Sequence, residues 1–294
     1  MFTPGSGIGG ARRRARALAR VFRRRRLEPT LHAFANLAAL RRWADTCEPH
    51  FTHLVCVGGD ATMSAAAVAA VRTGAAFVPV PAGFGNIFAQ SFHYPDRVKA
   101  VARILESGQV RRVDIGLAHG VEGAEAFLSH RSYGILEQIQ HAAERGRRQP
   151  RRRLLRYFWY YGVAYRLLFR TRLASFTVEL DGEPVTDDAV LVTVANVETY
   201  RGFLSLTPAA SPIDGRFDVA IIGRKSKLAL IACLLKLLFK LPGDHGVTVR
   251  RGRHVVVTTP RRREELTVWR RALPLLVPPG AMAALERRTV DGER

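Results

Sequence analysis

Apolar residues in the first part of the chain follow two alternating patterns. His53 to Val57, Ala76 to Val80 and Val110 to Gly116 are short, largely unbroken runs, of the length and β-branched content of buried strands. Ala11 to Phe22, Leu37 to Ala44, Met63 to Arg72, Ile87 to Phe92 and Asp96 to Glu106 read as helices. Met1 to Thr3 reads as the tail of a strand, Pro4 to Gly7 as a turn and Leu31 to Phe34 as a weak strand. This alternation predicts an N-terminal α/β domain over residues 1–117, a parallel sheet with helices on both faces. Such a domain normally begins on a full strand, so either the first strand is very short or the true start lies upstream of Met1.

Beyond residue 117 the pattern changes. Short strands are expected at Ala126 to Leu128, Phe176 to Leu180, Val190 to Ala195, Val219 to Ile222 and His254 to Thr258, with turn signals such as Asp181-Gly182 and Asp214-Gly215 between them. They predict a C-terminal antiparallel β-sandwich over residues 118–285, interrupted by helical insertions from about Glu137 to Leu173 and from Ser226 to Phe239. Glu286 to Arg294 reads as a disordered tail.

Two of the predicted strands end in glycine loops. After Val55-Cys56-Val57 comes Gly58-Gly59-Asp60-Ala61-Thr62, and after Val78-Pro79-Val80 comes Pro81-Ala82-Gly83-Phe84-Gly85-Asn86-Ile87. Glycines let the backbone turn tightly so that N–H groups can face a phosphate, and the positive end of the following helix adds to the attraction. An acidic residue beside them can hold a metal directly or through water.

On successive strands the two loops resemble the catalytic domain of the diacylglycerol kinase family, which also covers sphingosine kinases and bacterial lipid kinases and is distantly related to NAD kinases. The family pattern is GGDGT-x-NE followed some twenty residues later by PxGTxND-FA. Pro4 to Gly7 resembles its NPxSG opening, and Arg112 to Gly116 its aspartate-bearing strand. Ala195-Asn196, Gly202 and Thr207 to Val219 are similar to its vaN…GGG…PxAxxxDGxLDv segment, and Leu275 to Leu285 to its closing strand with a PGAL turn.

The resemblance implies an ATP- and Mg2+-dependent phosphotransferase acting on a lipid hydroxyl, with its active site in the cleft between the domains. Gly58, Gly59, Asp60, Ala61, Thr62, Met63 and Ser64 would line the nucleotide phosphates, with Gly83, Phe84, Gly85 and Asn86 from the second loop. Asp60 and Asp114 would belong to the catalytic magnesium network. Ser211, Asp214 and Arg216 would form a separate structural metal site, the first and last through backbone oxygens.

The departures fall on the chemistry. Ala61 stands at the third glycine, Ser64-Ala65 at the Asn-Glu pair, Phe84 at the threonine and Ile87 at the second-loop aspartate. A DGE near the closing strand supplies the family's general base, but the matching stretch, Glu265 to Arg271, lacks it. Asp181-Gly182-Glu183 and Asp291-Gly292-Glu293 spell the tripeptide elsewhere and read as coincidences. Glu264 and Glu265 are substitutes on paper, but read more simply as solvated loop charges. The expectation is a lipid kinase, with a nucleotide- or lipid-binding pseudokinase as the alternative.

Charge adds a partner. Lys plus Arg number 46 against 25 Asp plus Glu, a formal +21, carried mostly by arginine. An anionic membrane surface suits such a chain. Nucleic acid is disfavoured because no recognised module accompanies the charge. Arg151 to Arg170 joins cations to aromatics, and Leu228 to Phe239 is apolar with Lys225, Lys227, Lys236 and Lys240 around it. Each reads either as an interfacial helix or as a helix packed on the β-domain. Without a signal peptide or an 18-residue apolar stretch, the expected location is cytoplasmic and peripheral at the inner membrane surface. A homodimer is expected. Cys47, Cys56 and Cys233 lack metal spacing and read as reduced thiols. Thr199 and Tyr200 fall near the family's cleft and read as packing residues.

Overall fold

The computed structural model describes residues 1–3, 10–48, 50–83, 85–120, 123–145, 162, 166–167, 174–198, 206–223, 227–239 and 246–283. Expectations for Pro4 to Gly7, Phe84, Thr199, Tyr200, Gly202, most of Arg151 to Arg170 and the tail from Glu286 fall outside them.

In the N-terminal half, α1 (Ala11–Arg24) buries Ala11, Ala15, Leu18, Ala19 and Phe22, a stripe at helical spacing that leaves most of its arginines outward. α2 (Leu37–Thr46) is capped by the Asn36 side chain, which accepts the Ala39 N–H at 2.9 Å. β1 (His53–Gly58) pairs in parallel with β2 (Ala76–Pro81), and between them runs α3 (Asp60–Thr73). Its alanines are small enough to bury the helix against the sheet and α2, and it ends at Gly74 in the left-handed conformation, φ 71°. α4 (Ile87–Ser91) and α5 (Val98–Ser107) follow, then β3 (Gln109–Gly120). Met1 to Thr3 forms a minimal first strand, with Phe2 bridging Ala33 on one side and Val57 on the other.

The second half comprises β4 (Gly123–Phe127), β5 (His130–Gly134), α6 (Ile135–Arg145), β6 (Phe176–Leu180), β7 (Glu183–Ala195), β8 (Phe217–Gly223), α7 (Lys227–Phe239), β9 (Thr248–Gly252), β10 (His254–Thr258) and β11 (Arg263–Val277). Antiparallel pairings in the order β11-β10-β6-β7-β8-β9 enclose a core around Tyr133, Phe176, Val192, Phe217, Val255 and Leu266. Residues of α6 and α7 pack on a second cluster with Leu191, Ala220 and Ile222. The fold is thus an α/β domain followed by an antiparallel β-sandwich with helical insertions.

Several expectations change. The N-terminal sheet is mixed, because β11 runs parallel to β2 and antiparallel to β3. α3 starts at Asp60 rather than Met63, since Gly59 closes the first turn by accepting the Met63 N–H at 2.9 Å. The closing strand spans Arg263–Val277 instead of Leu275 to Leu285, and the Pro279-Gly280 turn follows it. β5 and β9 are strands that the sequence pattern missed. β3 and β11 pair along most of their length across residue 117, interrupted by a bulge between Trp269 and Leu273 where Arg271 takes φ 48°.

Candidate functional site

The two glycine loops abut at the carboxyl ends of β1 and β2. The Ala82 N–H donates to Gly58 O at 2.8 Å. A Cβ placed on Gly83 would stand 2.6 Å from the Gly59 Cα, so this backbone approach admits glycine alone. Asn86, at φ 49°, holds the second loop: its Oδ1 accepts the Gly83 N–H at 2.7 Å and its Nδ2 donates to Gly83 O at 2.8 Å. Gln90 Nε2 donates to Gly85 O at 2.6 Å. Arg14 of α1 donates to Pro81 O behind the loop.

Asp60 opens α3 and ties the loops together. Its Oδ1 accepts the Phe88 N–H at 3.1 Å, while Oδ2 lies 3.1 Å from where a Gly85 Cβ would be. Burial pushes its carboxyl pKa up, against the pull of the Phe88 and Ile87 N–H groups. The first turn of α3 offers N–H groups without intrahelical acceptors beside this carboxylate, a suitable mouth for a phosphate.

The other expected residues divide. Thr62 is buried, its Oγ1 3.3 Å from Thr3 Oγ1. Met63 has no exposed surface and belongs to the core. Ser64 is buried and its Oγ accepts the Leu128 N–H at 3.2 Å, which ties α3 to the end of β4. The side chains of Met63 and Ser64 are therefore engaged in the core and in the tie to β4. Helix formation from Asp60 turns both inward. Ile87, at the second-loop aspartate position, is buried.

Asp114 sits elsewhere. It is 1% exposed; its Oδ2 accepts the Gly215 N–H at 2.7 Å and its Oδ1 the Arg271 N–H at 2.6 Å. Its backbone is held as well, by Pro212 O at 2.7 Å and by Asn196 Nδ2 at 3.0 Å. Asp114 thus fastens the Asp214 loop to the β11 bulge, whereas Asp60 fastens one glycine loop to the other.

In the Asp214 loop, Gly215 takes φ 73° beneath Arg270, and the Arg216 N–H donates to Asp214 Oδ1 at 2.9 Å. Burial pushes the Asp214 carboxyl up to about 6, helped by nearby Asp218 and Asp114. Asp218 is buried, with one oxygen 3.0 Å from Arg251 Nε and the other without a hydrogen-bond partner among the described residues. Ser211 is buried. No set of three or more His, Cys, Asp or Glu side chains among the described residues is arranged to hold a metal, so a cation here would lean on Asp214 and backbone oxygens.

Glu264 corrects the reading of a solvated loop charge. It is 5% exposed, on the inward face of β11. The Tyr133 hydroxyl donates to it at 2.6 Å and Arg131 Nη2 at 2.8 Å. Burial pushes its pKa up, but Arg131, Tyr133 and Arg262 outweigh that and hold it below the ordinary range. A carboxylate so bound is a poor proton acceptor. Arg131 also reaches Glu125 at 2.9 Å, Glu125 pairs with Arg41 of α2, and Arg262 reaches Glu137 of α6 at 2.6 Å. This network joins both halves of the chain. Leu266 and Val268 carry the inward apolar spacing of this strand, and the pattern breaks at Glu264. Glu265 points outward to His254 at 2.6 Å.

Comparison with known proteins agrees with this architecture. Residues 1–118 match the family model described as the diacylglycerol kinase catalytic domain, and residues 132–269 match the YegS C-terminal NAD kinase beta sandwich-like domain. A diacylglycerol kinase of Staphylococcus saprophyticus is 24% identical over 209 residues, covering 69% of this chain and 63% of that protein. One of Mycobacterium tuberculosis is 28% identical over 189 residues, covering 64% of this chain and 60% of that protein. The chain thus matches somewhat less than two thirds of the length of these relatives. A solved structure of a diacylglycerol kinase from Bacillus anthracis strain Sterne covers 95% of this chain and 96% of its own, at TM-score 0.64 and 16% identity, a likeness of fold. With adjoining matches to a catalytic domain and its β-sandwich partner, the chain belongs to the diacylglycerol kinase catalytic-domain family as a divergent member.

Proposed function

We propose that the chain is a lipid kinase of the diacylglycerol kinase type, phosphorylating a lipid hydroxyl at an anionic membrane surface. The observation that carries this reading is the junction of the two glycine loops, with Asp60 Oδ2 turned toward Gly85. The phosphates of ATP would lie against the first turn of α3 and the Gly83 to Asn86 loop. Asp60 would be the carboxylate for Mg2+, an ion commonly bound through one or two carboxylates plus substrate phosphates. When bound, ATP supplies the transferred phosphoryl group and Mg2+ neutralises its developing charge. The chain's part is to position the phosphates by backbone N–H groups and to bring the acceptor to them. The formal +21 supports attachment to anionic lipid, and no described helix is long and apolar enough to cross a membrane.

A second reading, nucleotide binding without transfer, is favoured by three commitments. Asp114 spends both oxygens on backbone N–H groups, position 87 is a buried isoleucine, and Glu264 is neutralised by Arg131 and Tyr133. The test is ATP turnover by the purified chain in mixed micelles carrying diacylglycerol, sphingosine-like or glycerophospholipid acceptors. Phosphorylated lipid above an Asp60→Ala control supports the kinase. ATP binding by calorimetry without any product selects the second reading.

A further inference from the structure

A cavity of about 620 Å3 lies on the flank of α3, the helix opened by the first glycine loop, and is walled by α2, α3, the β3–β4 hairpin and the start of β11. Ala65 and Val68 of α3 give it one apolar side. Arg41, Arg131, Arg262 and Arg263 line the rest, with Asp45, Glu125 and Glu264, so four guanidiniums face three carboxylates. Arg131 is fixed by Glu264 and Glu125. Among the described residues, Arg41 and Arg262 each engage their carboxylates through one terminal nitrogen, which leaves the remaining donors of each fork for a guest.

Position 65 carries the distinctive change. The family pattern places the glutamate of its Asn-Glu pair there, on a wall of this cavity. Alanine removes that negative charge and widens the space. What remains is a pocket in which guanidinium N–H donors of Arg41, Arg262 and Arg263 outnumber the one unspent carboxylate, Asp45, and guanidiniums recognise phosphate oxygens in pairs. Ala65 lies five residues beyond Asp60, about 7.5 Å along the helix, so one small molecule could span from the arginines toward the glycine loops.

We infer that this cavity holds the phosphate of a small phosphorylated polyol, presented as a lipid headgroup or as a soluble ester. On the proposed function, on which this rests for the class of acceptor, the acceptor already carries a phosphate and offers a second, free hydroxyl to the loops. That departs from a neutral diacylglycerol.

The test is calorimetric titration of the full chain with sn-glycerol 3-phosphate, glycerol and inorganic phosphate. Flotation with phosphatidylglycerol or phosphatidylcholine vesicles distinguishes lipid-borne from soluble ester. Glycerol 3-phosphate should bind at least about tenfold more tightly than glycerol, the size of one charge-assisted hydrogen bond. Arg263→Ser, at an exposed strand position, and Arg262→Gln should each weaken it by a similar factor, and Ala65→Glu should do the same by restoring a carboxylate. Circular dichroism establishes that each variant is folded. Equal affinity for glycerol and its phosphate, or affinity within about twofold of wild type in both Arg263→Ser and Ala65→Glu, would overturn the inference. Displacement of ATP by glycerol 3-phosphate would overturn it too, by placing both at the loops. Inorganic phosphate binding as tightly as the ester overturns the assignment to a polyol. If the ester binds as described while no ATP turnover occurs, the kinase reading fails and this inference stands.

Discussion

Asp114→Asn separates a carboxylate that serves magnesium from one that serves the fold. In the folded chain it accepts two backbone N–H groups, from Gly215 in a buried setting and from Arg271 at the partly exposed bulge. Asparagine keeps one oxygen and turns an NH2 toward the other N–H, so a donor faces a donor. Losing one charge-assisted bond costs about 1.5–3 kcal/mol, and water at the exposed Arg271 offsets a little of it. The expected loss is about 2 kcal/mol, a substantial fraction of the usual 5–15 kcal/mol of folding stability. At a urea m-value of about 3 kcal/mol/M, the midpoint should fall by roughly 0.7 M. Far-ultraviolet circular dichroism and tryptophan fluorescence would follow the transition. ATP affinity, measured well below the melting temperature, should stay within about twofold of wild type. A midpoint unchanged within about 0.2 M together with a large loss of ATP affinity would refute this reasoning and return Asp114 to the nucleotide.

Gly83→Ala forces a methyl against the Gly59 backbone and should cost about 1–3 kcal/mol while weakening ATP binding, measured by melting and calorimetry on the same sample. Glu264→Gln leaves the partly buried Arg131 with Glu125 alone as its carboxylate among the described residues, and about 2 kcal/mol should be lost at pH 7 by urea titration. Because the folded pKa of Glu264 is depressed, its contribution is present above the unfolded value and fades as pH falls through the folded one; the variant should therefore lose less stability than wild type below about pH 4.5. Asp214 has the opposite sign. Its folded pKa near 6 exceeds the unfolded value, so its ionisation lowers stability as pH rises from about 4 to about 6, and Asp214→Asn should melt higher than wild type at pH 7 without divalent cations. Added Mg2+ that raises wild-type melting but not that of the variant would mark the loop as a metal site.

How far the sequence carried depended on whether each segment's pattern agreed with its environment. β1, β2 and the two glycine loops read directly, because unbroken apolar runs ending in glycine have few other interpretations. The start of β11 was illegible for a specific reason. Its inward positions include Glu264, so a polar side chain occupies a core-facing site and the alternation looks broken. Arg131 and Tyr133, more than a hundred residues away, complete that environment, and their pairing leaves no local trace. Asp114 was located correctly on its strand, but its partners Gly215 and Arg271 are set by the Asp214 loop and the bulge. Short-range spacing cannot register either.

The path of β11 has a consequence for biosynthesis. Its last residues fill the gap between β2 and β3 in the α/β sheet, with Leu275 against Phe77 and Leu273 to Val277 against Gln109 to Val113. A strand in the interior of the first domain is therefore synthesised only after the strands of the β-sandwich. Until it arrives, β2 and β3 each present an unpaired edge, the kind of surface that recruits other chains. The N-terminal domain cannot finish folding during its own synthesis, and a fragment ending near residue 118 should behave as an aggregation-prone intermediate. Arrival of Leu273 to Val277 becomes the step that commits both halves at once, and a premature stop anywhere before Leu273 should leave no soluble nucleotide-binding remnant.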